Sequence, residues 1–509
     1  MGSNSGEGLE HCPHEQCVEA RSEWSTAGLF TDQSQSMGGV GPLHQQVTIG
    51  SLPDEVLLIV FKFFVDAMFV EYSVSEKWHT LVHVCRRWRY LVFISPRHLN
   101  LQLLCVPPKR SVKEMLDIWP ELPIYIRDYN YPTGEAEDNL VAALGLNHRV
   151  SGIHFEKTSD SAWETFAPLM QQPFPAASTD LWLEPHLNDA ISRSFLSGSS
   201  PRLRHLVLVG IPFPTLPKLL LSATNLVRLL YDDIPSSGYI SPREMVTGLS
   251  ALTRLESLSL TFPSPRDLPD TPIPIPPPHA CTLLPALTYL RLQGVPAYME
   301  ELVAQIDAPL LESTKITLFD HGVLEVSELS KFVCRTDKIS LVDRAEVTFE
   351  SDRISVLLSQ ELQGKVDPKT LRLCPSCPES DLRLSCLVQI CTSCLPTLSP
   401  FESLHIRVPF YHRWEDFTDD PDHQWLELLC LFNTMKKLFL SKYVAPRVAQ
   451  ALRGLPAERV SEVLPALENV FISELEPFGP VNEAISKFAD ARQLSGHPVS
   501  IHGWEDRFM

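Results

Sequence analysis

The sequence predicts an α/β chain: an N-terminal helical domain followed by an α/β solenoid with parallel strands. Three observations predict it. An apolar segment from Ser51 to Leu104 carries two helical patterns, a Leu-x-x-Leu-x-Leu signature recurs through the rest of the chain, and amphipathic stretches lie between the recurrences. The 509 residues are 44% hydrophobic, ample for a core. A formal net charge of −19 argues against broad binding of nucleic acid or anionic membrane, because phosphate contacts need clustered Lys and Arg.

Residues 1–47 are polar and rich in Ser, Gly and Gln, and a disordered tail is expected there. His11, Cys12, His14 and Cys17 could ligate zinc, and a flexible tail fits them as well. The amino terminus has no apolar stretch for a secretory signal or anchor, and Gly6 stands where a myristoylation signal needs Ser or Thr. No run approaches the roughly 18 apolar residues of a membrane span. The expectation is a soluble intracellular protein, cytoplasmic or nuclear, that contacts neither membrane nor nucleic acid.

A helical domain is expected over 48–105. Pro53 suits a first helical turn, and Asp54 and Glu55 place negative charge at the positive end of the helix dipole. The residues that follow, Val56, Leu57, Leu58, Ile59, Val60, Phe61, Phe63 and Phe64, cover most of the helix circumference. A second helical pattern runs through Trp78, Leu81, Val82, Cys85, Trp88 and Leu91, with Arg86, Arg87 and Arg89 facing elsewhere. About fifty residues bury only a modest core, so the leftover apolar surface implies a permanent partner. Basic residues also gather from Lys77 to Lys113, either as a solvated helix face or as an electrostatic match to an acidic partner.

This segment resembles the F-box. The opening residues Leu52, Pro53, Glu55, Val56, Leu57, Val60, Phe61 and Phe64 match its first helix, and Val84, Cys85, Trp88, Ser95, Pro96 and Leu99 match its close. Val65 to His83 is longer than the family usually has. The resemblance implies docking onto the S-phase kinase-associated adaptor protein and, through it, onto a cullin. The adaptor-binding residues it implies are Leu52, Pro53, Glu55, Val56, Leu57, Val60, Phe61, Phe64, Val84, Cys85, Trp88 and Leu91.

From 106 to 509 the chain repeats. The signature stands at Leu203/Leu206/Leu208, Leu255/Leu258/Leu260 and Leu287/Leu290/Leu292, with variants at Leu226/Leu229/Tyr231, Phe401/Leu404/Ile406, Met435/Leu438/Leu440 and Leu467/Val470/Ile472. Weaker pairs fill the gaps: Leu99/Leu101, Ile124/Ile126, Ile153/Phe155, Leu181/Leu183, Thr314/Ile316, Ile339/Leu341, Leu371/Leu373 and Val499/Ile501. Consecutive pairs lie 23 to 34 residues apart, which predicts an uninterrupted array. Helical returns are expected at Pro242 to Leu252, Tyr298 to Asp307, Val326 to Arg335, Asp422 to Asn433 and Arg447 to Leu455. The pattern resembles degenerate leucine-rich repeats, since the usual Asn or Cys after the strand is mostly missing. Together with the first segment, it is similar to the fungal F-box proteins with divergent leucine-rich repeats.

Two interruptions and one cysteine group complete the reading. Pro263 to Pro278 holds eight prolines in sixteen positions and favours an exposed polyproline loop, with an SH3 or WW ligand as the sharper alternative. Trp414 to Trp425 is acidic and aromatic without the Gly and terminal Glu of a calcium loop, so a solvated rim loop is expected, with substrate contact as the alternative. Cys374, Cys377, Cys391 and Cys394 approach zinc-ribbon spacing, but Leu382 to Leu395 also reads as a helix that buries its cysteines as small apolar residues. No metal or other cofactor is expected, and all twelve Cys read as reduced.

No phosphate loop, H-E-x-x-H, G-x-S-x-G or G-x-G-x-x-G stands in the sequence, so no catalytic residue and no enzymatic activity are expected. The expected function is substrate recognition for a cullin-RING ubiquitin ligase, with an unknown target protein held by the repeats. The alternatives are a repeat scaffold without a ligase and a zinc-stabilised binding module.

Overall fold

The computed structural model describes residues 49–66, 78–96, 98–99, 101–105, 111–119, 122–128, 135–156, 160–171, 179–184, 199–263, 281–319, 326–336, 342–350, 354–362, 365–376, 383–394, 401–408 and 422–504. The chain divides into two units, Met1–Pro53 and Asp54–Met509. In the first unit, the described residues form a short 3-10 turn, Ile49–Ser51.

The second unit opens with three helices, α1 (Asp54–Asp66), α2 (His79–Val84) and α3 (Arg86–Ile94). The single helix expected from Trp78 to Leu91 is broken at Cys85. This residue takes extended backbone (φ −158°, ψ 171°), and its Sγ accepts the Trp88 amide at 3.5 Å. The thiol thus occupies one of the donors that a new helix start leaves without an intrahelical acceptor. The repeats follow within the same unit.

The first repeats give β1 (Leu103–Cys105), α4 (Val112–Ile118), β2 (Ile124–Asp128), α5 (Glu135–Gly145), β3 (Val150–Glu156), α6 (Asp160–Leu169) and β4 (Asp180–Glu184). Next come β5 (His205–Val209), α7 (Leu216–Ser222), β6 (Arg228–Asp232), α8 (Pro242–Leu249), β7 (Ser257–Thr261), β8 (Thr282–Leu283), β9 (Tyr289–Gly294), α9 (Pro296–Ala304), β10 (Ile306–Asp307), β11 (Ser313–Phe319) and α10 (Ser327–Cys334). The chain then runs through β12 (Arg344–Phe349), β13 (Ile354–Leu362), β14 (Lys365–Ser376) and α11 (Arg383–Cys394). It closes with β15 (Ser403–Arg407), α12 (Asp422–Cys430), β16 (Lys437–Leu440), α13 (Ala445–Arg453), β17 (Asn469–Ser473), α14 (Pro480–Leu494) and β18 (Ser500–Trp504). Helices α8, α9, α10, α12 and α13 fall on the five expected returns. The start of α8 is fixed by a capping box, with the Ser241 Oγ accepting the Glu244 amide at 3.3 Å.

Among the described residues the main sheet has sixteen strands, and neighbours pair parallel except around β13. The last two apolar positions of the signature become two rows across it. One runs Leu206, Leu229, Leu258 and Leu290, and the other Leu208, Tyr231, Leu260 and Leu292. All eight are fully buried, as are Leu203, Leu226, Leu255 and Leu287, which open the signature. Ring contacts from Phe155 to Phe166 (5.1 Å) and from Phe349 to Trp425 (5.3 Å) bind strands to helices, so the core lies between sheet and helices.

The array is not uninterrupted. Strand order runs β11, β14, β13, β12, β15, with β13 antiparallel to both neighbours. Chain length explains this. Only the residues 350–353 separate β12 from β13, and 363–364 separate β13 from β14, whereas a parallel crossover needs about a dozen residues. The pair Ile339/Leu341 lies outside the described residues, and the local strand is Arg344–Phe349. Leu99 and Leu101 are buried but precede β1, which uses Leu103–Cys105. The proline-rich segment lies outside the described residues except for Pro263. The acidic segment is described only from Asp422, where it enters α12.

Candidate functional site

Helix α1 has two apolar sides. Leu57, Phe61 and Val65, four apart, are buried. Val56, Ile59, Val60 and Phe63 follow the i, i+3, i+4, i+7 spacing of another face and are exposed, Phe63 to 71% and Ile59 to 52%. The inner side is held by Phe61 against Trp88, with ring centroids 4.6 Å apart. Arg87 ties α3 to the start of α1, its Nη2 donating to the Asp54 carboxylate at 2.6 Å. Arg89 Nε donates to the Val82 carbonyl at 2.9 Å, holding α3 to α2. Helix α3 also carries exposed Tyr90, Phe93 and Ile94, with Phe93 stacked on Trp119 at 4.3 Å. The Trp78 indole donates to the Gln102 carbonyl, seating α2 on the approach to β1.

Of the residues assigned to adaptor binding, Pro53, Glu55, Val56, Val60, Val84 and Cys85 are exposed. Leu52, Phe64 and Trp88 are half-buried. Leu57, Phe61 and Leu91 are buried and pack the helices. The assignment omitted Ile59, Phe63, Tyr90, Phe93 and Ile94. For α1, the omitted positions follow from the helical spacing of Val56 and Val60.

A second surface lies on the sheet. Successive strand residues alternate between faces, so the residue between the paired apolar positions faces away from the core. In register, this row runs Arg127, His154, Trp182, Val207, Leu230, Ser259, Arg291, Lys315, Arg372, Leu357, Glu346, His405, Phe439, Phe471, His502. Its last four rings stack, His405 on Phe439 at 4.1 Å, Phe439 on Phe471 at 4.5 Å and Phe471 on His502 at 5.0 Å. Trp504 packs edge-on against Phe439 and takes the Arg407 guanidinium over its ring at 5.3 Å. Burial, with Arg344 and Arg407 nearby, pushes the His405 imidazole down to about 2. Burial beside Arg127 pushes His154 down to about 4. Both rings are neutral at pH 7.

Cys374 is buried on β14, and Cys386 and Cys391 are buried on α11. Cys377 and the side chain of Cys394 lie outside the described residues. Among the described residues no group of three or more His, Cys, Asp or Glu is placed to hold a metal ion. No described helix is long and apolar enough to cross a membrane.

No family model matches this chain. No curated protein matches it either. Among solved structures it is similar to the leucine-rich repeat-containing protein LegL7 from Legionella pneumophila, at 13% identity with a TM-score of 0.25, covering 73% of this chain and 98% of that one. The repeat frame therefore rests on the strand rows themselves.

Proposed function

We propose that this chain is the target-binding subunit of a cullin-RING ubiquitin ligase. Helices α1 and α3 dock on the S-phase kinase-associated adaptor protein, which joins the chain to a cullin, and the sheet face away from the core receives a target protein. The supporting observation is the exposed apolar face of α1, with Val56, Ile59, Val60 and Phe63 on one side of a helix whose other side is already packed. Bare apolar surface of this kind marks an interaction site in a soluble chain. The chain itself performs no chemistry. Its contribution is proximity, since holding target and ligase together raises their effective concentration.

The test is recovery of adaptor and cullin from cells with the tagged chain, compared with a Leu52→Ala, Pro53→Ala double variant. Loss of both proteins with the variant supports the reading. Equal recovery removes Leu52 and Pro53 from the adaptor-binding residues, and absence of the adaptor from both leaves a binding scaffold without a ligase.

A further inference from the structure

Strand β18 ends the sheet among the described residues, with β17 on one side and no described strand on the other. The opposite end of the sheet differs, because α2 is seated there by the Trp78 indole on the Gln102 carbonyl. Ser500 donates its amide to the Glu468 carbonyl at 2.9 Å. Backbone polar groups alternate along a strand, so Ile501 and Gly503 aim their N–H and C=O groups at the open edge. Natural edge strands are guarded by Lys, Pro, a bulge or an inward charge, and Ser500–Trp504 holds none of these.

Both faces of the strand also stop short. On the core side one row runs Leu404, Leu438, Val470, Ile501, and the next runs Ile406, Leu440, Ile472, Gly503. Ile501 is half-buried, whereas the three residues before it in its row are fully buried. Gly503 stands where its row otherwise carries branched apolar side chains. It does not take left-handed backbone, and a Cβ there would meet no described atom within 4 Å. Neither backbone conformation nor packing within the chain requires glycine at 503. On the outer face the ring ladder ends at the exposed His502, stacked on Phe471 at 5.0 Å and held by its Nε2 donating to Asn469 Oδ1 at 3.2 Å.

We propose that β18 pairs antiparallel with β18 of a second copy of this chain, about a two-fold axis at His502. In that register Ile501 lies opposite Gly503 of the second copy, and each of the two equivalent pairs exchanges both of its N–H···O bonds. The branched side chain of Ile501 fills the space that Gly503 leaves, so the backbone and the apolar rows fix the same register. His502 falls opposite its own copy as a non-hydrogen-bonded pair, with Cα atoms about 4.5 Å apart, and the ring ladder of one sheet runs on into the other. Helix α14 leads into β18, and the two-fold sets it reversed against its copy. This brings Leu494, 90% exposed, toward the fully exposed Phe478 of the second copy. A surface that is its own complement fits a two-fold dimer. A strand from an unrelated protein would account for the open edge but not for a glycine two residues beyond Ile501. The pairing is independent of the docking of α1 and α3, and its test uses no adaptor.

The test is sedimentation of the full chain from about 1 to 50 μM, bracketing a micromolar dissociation constant. The proteins are wild type, Gly503→Val, and Gly145→Ala as a control at another glycine with open surroundings. At the upper concentrations wild type and Gly145→Ala sediment at twice the 57.3 kDa of one chain. Gly503→Val needs at least about tenfold more protein to do so. Its melting temperature at the lowest concentration matches the wild type, because the monomer has room for the side chain. A second arm is oxidative cross-linking of His502→Cys and Ser500→Cys, with wild type giving the background from native thiols. His502→Cys forms a covalent dimer, since the paired Cα atoms lie within the roughly 4.4–6.8 Å that a disulfide spans. Ser500→Cys, set opposite Trp504 of the second copy, stays at background. If Gly503→Val misfolds, the cross-linking pattern decides alone. A wild type that is monomeric throughout, a dimer that a folded Gly503→Val does not weaken, or cross-linking no stronger at 502 than at 500 overturns the proposal.

Discussion

Phe61 and Phe63 sit two positions apart on α1 and face opposite environments. Phe61 is fully buried with its ring 4.6 Å from Trp88, whereas Phe63 is 71% exposed. One residue holds the helices together and the other is left at the surface. Phe61→Ala is expected to cost about 3–5 kcal/mol of stability, the usual range for a large buried aromatic. Phe63→Ala is expected to change stability by about 0.5 kcal/mol or less. Denaturant unfolding of the two variants checks the division.

Acid should weaken the sheet through its buried histidines. The ordinary histidine value is 6.5, while His405 is held at about 2 and His154 at about 4. The unfolded chain therefore binds protons that the native chain refuses, so stability is fully present above pH 6.5 and falls as pH drops below it. The slope is about 1.4 kcal/mol per pH unit for each histidine. The raised carboxyls of Asp233 and Glu300 act in the opposite sense, so a variant comparison isolates the effect. His405→Phe keeps the stack on Phe439 and removes the titration. Urea midpoints for this variant between pH 6.5 and 4.5 should decline less steeply than those of the wild type.

Neighbouring repeats are stitched by a cap supplied from one helix to the next. Glu300 on α9 accepts the amides of Glu328 and Leu329 at 2.7 and 2.8 Å, at the start of α10, where Val326 offers no capping side chain. Glu300→Ala should cost about 1 kcal/mol, typical of a lost helix cap. Glu300→Gln keeps an acceptor and should lose less. Thermal melts of the pair decide whether the acceptor matters.

Close packing between β2 and β3 depends on a missing side chain. A Cβ on Gly152 would lie inside contact distance of the Tyr125 ring on the neighbouring strand. Gly152→Ala should cost about 1–3 kcal/mol, the range for overpacking a filled site. The double variant Gly152→Ala with Tyr125→Ala relieves the clash but loses the aromatic burial. A double-mutant cycle on unfolding free energies should therefore show strong coupling between the two positions.

Much of this architecture is legible in the residues. Leu-x-Leu pairs mark the strands because alternate apolar side chains turn to one side, and Leu206, Leu229, Leu258 and Leu290 do form one buried row. Pro242, Asp422 and the apolar spacing between repeats place the helices within a few residues. The reversal at β13 is not legible from periodicity, because a strand alternates in the same way whichever direction it runs. Only the short connections on either side of β13 distinguish it. The break at Cys85 is hidden for a related reason, since thiols seldom cap helices and the apolar spacing continues through it. Arg291, Lys315 and Arg372 were readable as the middle residues of Leu290/Leu292, Thr314/Ile316 and Leu371/Leu373. Their juxtaposition depends on β14, not β12, pairing with β11.

The central claim is that the outer face of α1 holds another subunit, and it is tested most directly by substituting that face alone. Purified chain carrying Ile59→Lys and Phe63→Lys should fold and melt like the wild type, because both positions are exposed. Mixed with purified adaptor on a sizing column, the wild type should elute as a complex and the variant as separate components. Co-elution of variant and adaptor, or a wild type that never binds adaptor, would contradict the account.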